Sequence, residues 1–204
     1  TVLSNVETFA NIHWILENGS KTFAAIGNGR STGSKLLSLD SCFNKPGILE
    51  VAMGEPLTNV IKRAGGFSKP LKALHIGGPL GGLVPIGKIN DLTIDFESFA
   101  DNGFLLGHAS IIGIPESQSI AEYIQHLFAF TSAESCGKCF PCRLGAKRGT
   151  EMFEQALSGE NLLDKELLDD LDARKISGST ALKSANEYIN LNLAYENIIF
   201  LNGK

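Results

Sequence analysis

The apolar positions change their spacing along the chain, and the changes divide it into three stretches. The opening run TVLSNVETFANIHWILENG reads as a helix capped by Ser4 or Asn5, with Glu7 in its first turn. Its exit falls at Gly27-Asn28-Gly29. SKLLSLDSC and GILEVAMG then give short apolar runs bounded by turn residues, which suit strands. In EPLTNVIKRAGG, Leu57, Val60, Ile61 and Ala64 return at helical spacing, and Gly65-Gly66 supplies the stop. LKALHIGG predicts a further strand, GGPLGGLVP a tight turn, and FLLGHASIIGIP a closing strand after KINDLTIDFESFADNG. Strands and one helix mixed over roughly 80 residues indicate a small α+β domain around a mixed sheet.

From Glu116 the period is helical. Ile120, Ile124, Leu127, Phe128 and Thr131 form one stripe, and LGAKRGTEMFEQALSG predicts a second helix ended by Gly159. Leu163, Leu167, Leu168 and Leu171 mark a third, and SANEYINLNLAYENIIF a fourth whose asparagines weaken it. A small helical bundle is expected here. The domains are then 1–27, 28–115 and 116–204.

Composition narrows the function classes. The 204 residues are 43% hydrophobic and 20% charged, with a net charge of -4. That balance offers no positive field for nucleic acid, and no apolar run is long enough to insert into a bilayer. Ser, His and Asp are present, yet no G-x-S-x-G elbow or metallohydrolase motif organises them. GNGRSTG, from Gly27 to Gly33, lacks the strand before and helix after that a phosphate-binding loop needs. A chain that begins with Thr and opens directly into a helix is expected to be an excised or processed piece.

Four cysteines are too few for a disulfide scaffold, and three of them, Cys136, Cys139 and Cys142, fall within seven residues. CGKCFPC therefore points to metal chemistry in a reducing compartment. Thiolates suit iron, and one compact loop delivers three of them to one face of a cluster. Structural zinc more often uses two separated Cys pairs. Three thiolates leave a four-iron cubane one ligand short. Cys42 is read as a small buried residue on a strand rather than that ligand. His13, His75 and His108 are scattered, and His126 is read as an interface residue on its helix.

The run ESCGKCFPCRLG, from Glu134 to Gly145, resembles the cluster-binding signature of the NADH-oxidising flavin subunit of respiratory complex I and of related formate dehydrogenases and hydrogenases. Asn5-Val6-Glu7-Thr8 resembles the helix start that closes the family's flavin domain. GSKLLSLDS, GILEVAMGEPLTNVI, Gly77 to Gly82, Gly103 and Gly107-His108 resemble its soluble-ligand-binding β-grasp domain. The resemblance implies an α+β architecture: a ubiquitin-like β-grasp domain followed by a helical iron-sulfur domain. It implies a relay of electrons from reduced FMN through a cysteine-bound cluster to a partner subunit. Cys136, Cys139 and Cys142 would be the ligands, with Asn5 and Glu7 at the flavin-domain edge and no catalytic residue in this chain.

Two departures qualify what is implied. The family's flavin half does not precede Thr1, so FMN and NAD are expected only in the parent protein. The fourth cysteine position is occupied by Thr180, within Ser179-Thr180-Ala181-Leu182-Lys183. A 4Fe-4S cluster is then the family expectation, with a 3Fe-4S form or an absent cluster as alternatives. A docking scaffold with a degenerate site, or a zinc-stabilised interaction module, is the alternative function. The implied partners are the missing flavin domain, a thioredoxin-like 2Fe-2S subunit and an iron-sulfur electron-acceptor subunit. The implied location is the cytoplasm, or the cytoplasmic or matrix side of a membrane-associated complex.

Overall fold

A computed structural model describes residues 1–79 and 81–159. The expected third and fourth helices and Thr180 lie outside the described residues. Helix α1, Val6–Asn18, begins where the first run predicts, and Asn5 rather than Ser4 is its cap: the Asn5 Oδ1 accepts from the Glu7 N–H at 2.9 Å. Gly19 ends it, and a short α2, Ser20–Ala24, follows. Gly27–Asn28 (β1) and Ser31–Thr32 (β2) pair as a two-stranded ribbon, so GNGRSTG is a hairpin and not a phosphate loop.

The main sheet holds β3 (Ser34–Leu39), β4 (Gly47–Ala52), β5 (Leu71–Ile76), β6 (Gly82–Pro85) and β7 (Ser110–Pro115). Its order is β4-β3-β7-β5-β6. β7 runs parallel to β3, with Ser38 facing Ser110 and Leu39 facing Ile111, and antiparallel to β5. Helix α3, Leu57–Arg63, crosses between β4 and β5. Two hairpins, a crossover helix and a last strand inserted between the first strand of each hairpin make the β-grasp arrangement. The sheet is mixed, as the alternating runs predict.

Alternation along the strands gives the sheet two buried faces. Leu37, Leu39, Val51, Leu74, Ile76 and Ile111 join Leu57, Val60 and Ala64 of α3 in the larger core. Ala73, Leu83 and Ile114 point the other way and meet α5 (Ile120–Glu134) and α6 (Phe140–Ser158). Ile120, Ile124, Leu127 and Phe128 are buried, so four of the five residues in the expected stripe form the contact face of α5. Thr131 is only half-buried and turns its hydroxyl back to the Leu127 carbonyl at 2.8 Å. α6 ends at Gly159 in the left-handed conformation, as its glycine predicts. The two helices close on each other because Gly149 has no side chain. A Cβ there would stand 2.4 Å from the Phe128 ring.

The segment KINDLTIDFESFADNG, to which the periodicity gives no element, holds a 3-10 turn, Ile86–Asp91, and α4, Phe96–Asp101. Asp95 caps α4 by accepting from the Ser98 N–H at 2.6 Å. Cys42 is buried as expected, but it lies in the turn after β3 rather than on a strand. Among the described residues no helix is long and apolar enough to cross a membrane.

Candidate functional site

The cysteine loop links α5 to α6. Cys136 is exposed in the loop, Cys139 is the N-cap residue of α6, and Cys142 lies in its first turn, the latter two half-buried. Pro141 occupies the start of the helix, where its missing N–H costs no hydrogen bond. The Ser135 Oγ accepts from the Gly137 N–H at 3.2 Å and lies 3.4 Å from the Cys142 Sγ. Arg143 donates from Nη1 to the Gly137 carbonyl at 3.0 Å, while its guanidinium lies 5.9 Å from the Phe140 ring centroid. These contacts bind the loop to the helix that follows it. His126 is exposed on α5.

Asn5 and Glu7 line a second place, a cleft of about 510 Å³ between α1, β3 and the Gly107-His108 loop. Thr8, Lys35, Phe96 and His108 also line it. The Glu7 carboxylate binds the Lys35 ammonium and accepts from the Leu36 N–H at 3.0 Å. Burial alone would raise its pKa, but the Leu36 amide and Lys35 outweigh that and hold the carboxyl below the usual range. Both carboxylate oxygens are thus engaged within the chain, so Glu7 ties the start of α1 to the sheet rather than offering a free oxygen to a ligand.

The third feature is one that the sequence pattern does not single out. His75, only 2% exposed, points from β5 toward α5, and its Nδ1 lies 2.7 Å from the Tyr123 hydroxyl. Its Nε2 is buried beside the glycine turn and makes no hydrogen bond among the described residues. Burial lowers the His75 pKa to about 4, overcoming the opposing pull of the Gly81 and Gly78 backbone, with His108 adding repulsion. Tyr123 is pushed up to about 12, by burial first and then by the Asp40 charge. Gly77 and Gly78 both have positive φ, and a Cβ on Gly78 would stand 2.0 Å from the His108 Nε2. The Ala73/His75 alternation opposite Leu74/Ile76 was the available signal, because it aims the histidine at whatever covers the second face.

A family model described as the NADH-ubiquinone oxidoreductase-F iron-sulfur binding region matches residues 122–183. The NADP-reducing hydrogenase subunit HndC of Solidesulfovibrio fructosivorans is 37% identical over 163 residues, covering 78% of this chain and 33% of that protein. An NADH-quinone oxidoreductase subunit of Rickettsia bellii is 39% identical over 149 residues, covering 71% of this chain and 36% of the relative. The crystal structure of an air-oxidised NAD+-reducing [NiFe]-hydrogenase superposes with a TM-score of 0.77 and 26% identity, covering 92% of this chain and 32% of that one. Sequence and fold both match the iron-sulfur and NADH-binding subunit of complex I and its hydrogenase relatives. The chain spans about a third of the length of the relatives it matches.

Complex I-type subunits of this description imply an iron-sulfur group, and the thiols can be tested against it. Their chemistry suits iron. Among the described residues no three Cys, His, Asp or Glu side chains are placed to hold a single metal ion. Ser135 engages Cys142 from within the loop, and Cys136 faces solvent. The described loop thus brings the three thiols within seven residues without gathering them as a single-ion site.

Proposed function

We propose that this chain is a docking scaffold of an NADH-oxidising, complex I-type assembly, with a degenerate cluster site in its cysteine loop. The observation that carries this reading is α1, on which no residue is buried. Val6, Phe9, Ile12, Trp14 and Leu16 are all exposed, together with Val2 and Leu3 before the helix. An exposed apolar surface of that extent marks an interaction site. The family resemblance supplies its occupant: the flavin-binding domain that Asn5-Val6-Glu7-Thr8 would close. Phe140 and Leu144, exposed beside the cysteines, are the counterpart surface for a thioredoxin-like 2Fe-2S subunit or an iron-sulfur acceptor subunit. Hydride chemistry with NADH and FMN then belongs to the parent assembly.

Phe9→Glu is expected to weaken binding of a separately produced flavin-binding domain at least tenfold in calorimetry, a loss of about 1.4 kcal/mol or more. Unchanged affinity would remove α1 from the interface. The competing reading is an electron relay through a bound cluster, favoured by the three clustered cysteines and by the family match over residues 122–183. Anaerobic reconstitution with iron and sulfide separates the two. The scaffold reading expects essentially no bound iron or visible absorption, whereas three or four irons per chain would establish the relay. Bound zinc would identify a zinc-stabilised module instead.

A further inference from the structure

We infer that the cleft between α1, β3 and the Gly107-His108 loop takes in a bulky apolar side chain of the flavin-binding domain and anchors that interface. The inference rests on the docking reading above and names where on this chain the partner is held. Glu7, Asn11 and Ile15, set four apart on α1, are half-buried and line the cleft, while Val6, Phe9, Ile12 and Leu16 are exposed. α1 is thus one wall of the cleft and carries the apolar surface on its other sides. A partner lying on α1 meets the cleft as well.

The helix by itself is too small. Its 13 residues make a rod about 20 Å long and about 10 Å across, whose outward half offers on the order of 300 Å². A specific interface takes about 800 Å² from each partner. The cleft adjoins α1 and supplies concave surface where the helix ends. At about 510 Å³ it falls within the range of sites that enclose a drug-sized molecule, about 300–1,000 Å³.

Its lining selects the guest. Among the described residues that line it, Glu7 and Lys35 are the charged side chains, His108 aside, and they bind each other. A phosphate or carboxylate entering here finds no free cation to offset its desolvation. Ile15, Phe23, Met53 and Phe96 provide apolar wall instead. Phe96 is half-exposed although its backbone is fixed: Asp95 caps α4, and the Phe96 N–H donates to the Ser31 hydroxyl at 3.2 Å. His108 is held too, because its ring lies on Gly78 where a Cβ would stand 2.0 Å from Nε2. Walls already in place bind an apolar guest without the loss of freedom that ordering them would bring.

The full chain is titrated in a calorimeter with a separately produced flavin-binding domain and, in a parallel run, with FMN alone. Phe96→Ala removes the half-exposed wall, and Thr8→Trp fills the cleft from an exposed position on α1. Each is expected to weaken binding of the domain at least tenfold. Both should keep the wild-type urea midpoint, since neither position is buried. A tenfold loss in Phe9→Glu with normal binding by both cleft variants overturns the anchor and leaves the docking reading standing. Normal binding by all three overturns both. FMN alone is expected to give no binding heat. FMN binding that Thr8→Trp abolishes would make the cleft a small-molecule pocket and overturn the anchor.

Discussion

Phe153→Ala is expected to destabilise the chain by about 3–5 kcal/mol, measured by urea unfolding. Phe153 is 1% exposed on α6 and stacks on Phe128 of α5, ring centroids 5.8 Å apart. With Ile120, Ile124 and Met152 it fills the layer between the helices and Ala73, Leu83 and Ile114 of the sheet. Truncation would leave a cavity lined from three elements, one of them stiffened by strand pairing, and such a site collapses poorly. Phe153→Leu keeps much of the volume and should cost less than about 1.5 kcal/mol. A single transition for both variants would show that helices and sheet unfold together. A cost below about 1 kcal/mol would mean the helical hairpin rests on the sheet without depending on it.

Stability should fall at both ends of the pH scale through one hydrogen-bonded pair, buried His75 and half-buried Tyr123. With His75 lowered to about 4, the unfolded chain binds a proton between about pH 6.5 and 4 that the folded chain does not. Stability at this site is therefore complete above about pH 6.5 and is lost as pH drops through that window, by about 3 kcal/mol in total. Tyr123, raised to about 12, works in the opposite direction: the unfolded chain gives up its proton from about pH 10, so stability declines from there toward pH 12. Urea midpoints measured across this range should form a plateau between the two windows. His75→Leu should flatten the acid limb and Tyr123→Phe the alkaline one. Acid limbs of equal slope in wild type and His75→Leu would show that carboxylates elsewhere govern the loss.

Helices and strands that draw their stability from an apolar face were legible in the sequence. Ile120, Ile124 and Phe128 recur at the helical period because they face one layer, and Leu37 and Leu39 alternate because they face another. Residues 86–101 were not legible, since α4 is held by a cap, Asp95, and by Phe99 buried in the larger core, which leave no repeating pattern. Asn5 and Glu7 were found from their place at a helix start, but their roles emerged only in three dimensions: the cap on α1 and the tie to Lys35 and Leu36. The cysteine spacing identified the loop, whereas its geometry depends on Ser135 and Arg143, which no metal-site pattern includes. His75 escaped because its alternation with Ala73 tells which face it points to but not that a tyrosine on α5 waits there.

The seat of β7 between β3 and β5 fixes the order in which this chain can mature during synthesis. The hairpins β3–β4 and β5–β6 each pair locally as they emerge, but neither finds its inner neighbour until residues 110–115 have been made. Until then the inner edges of both hairpins carry open hydrogen-bonding groups, and Leu37, Leu39, Leu74 and Ile76 lack the strand that completes their layer. Closure must join Leu39 to Ile111 across all the chain between them, which makes it the slow step. A nascent chain stalled before Ser110 would hold two unjoined ribbons, the state most open to pairing with a stranger.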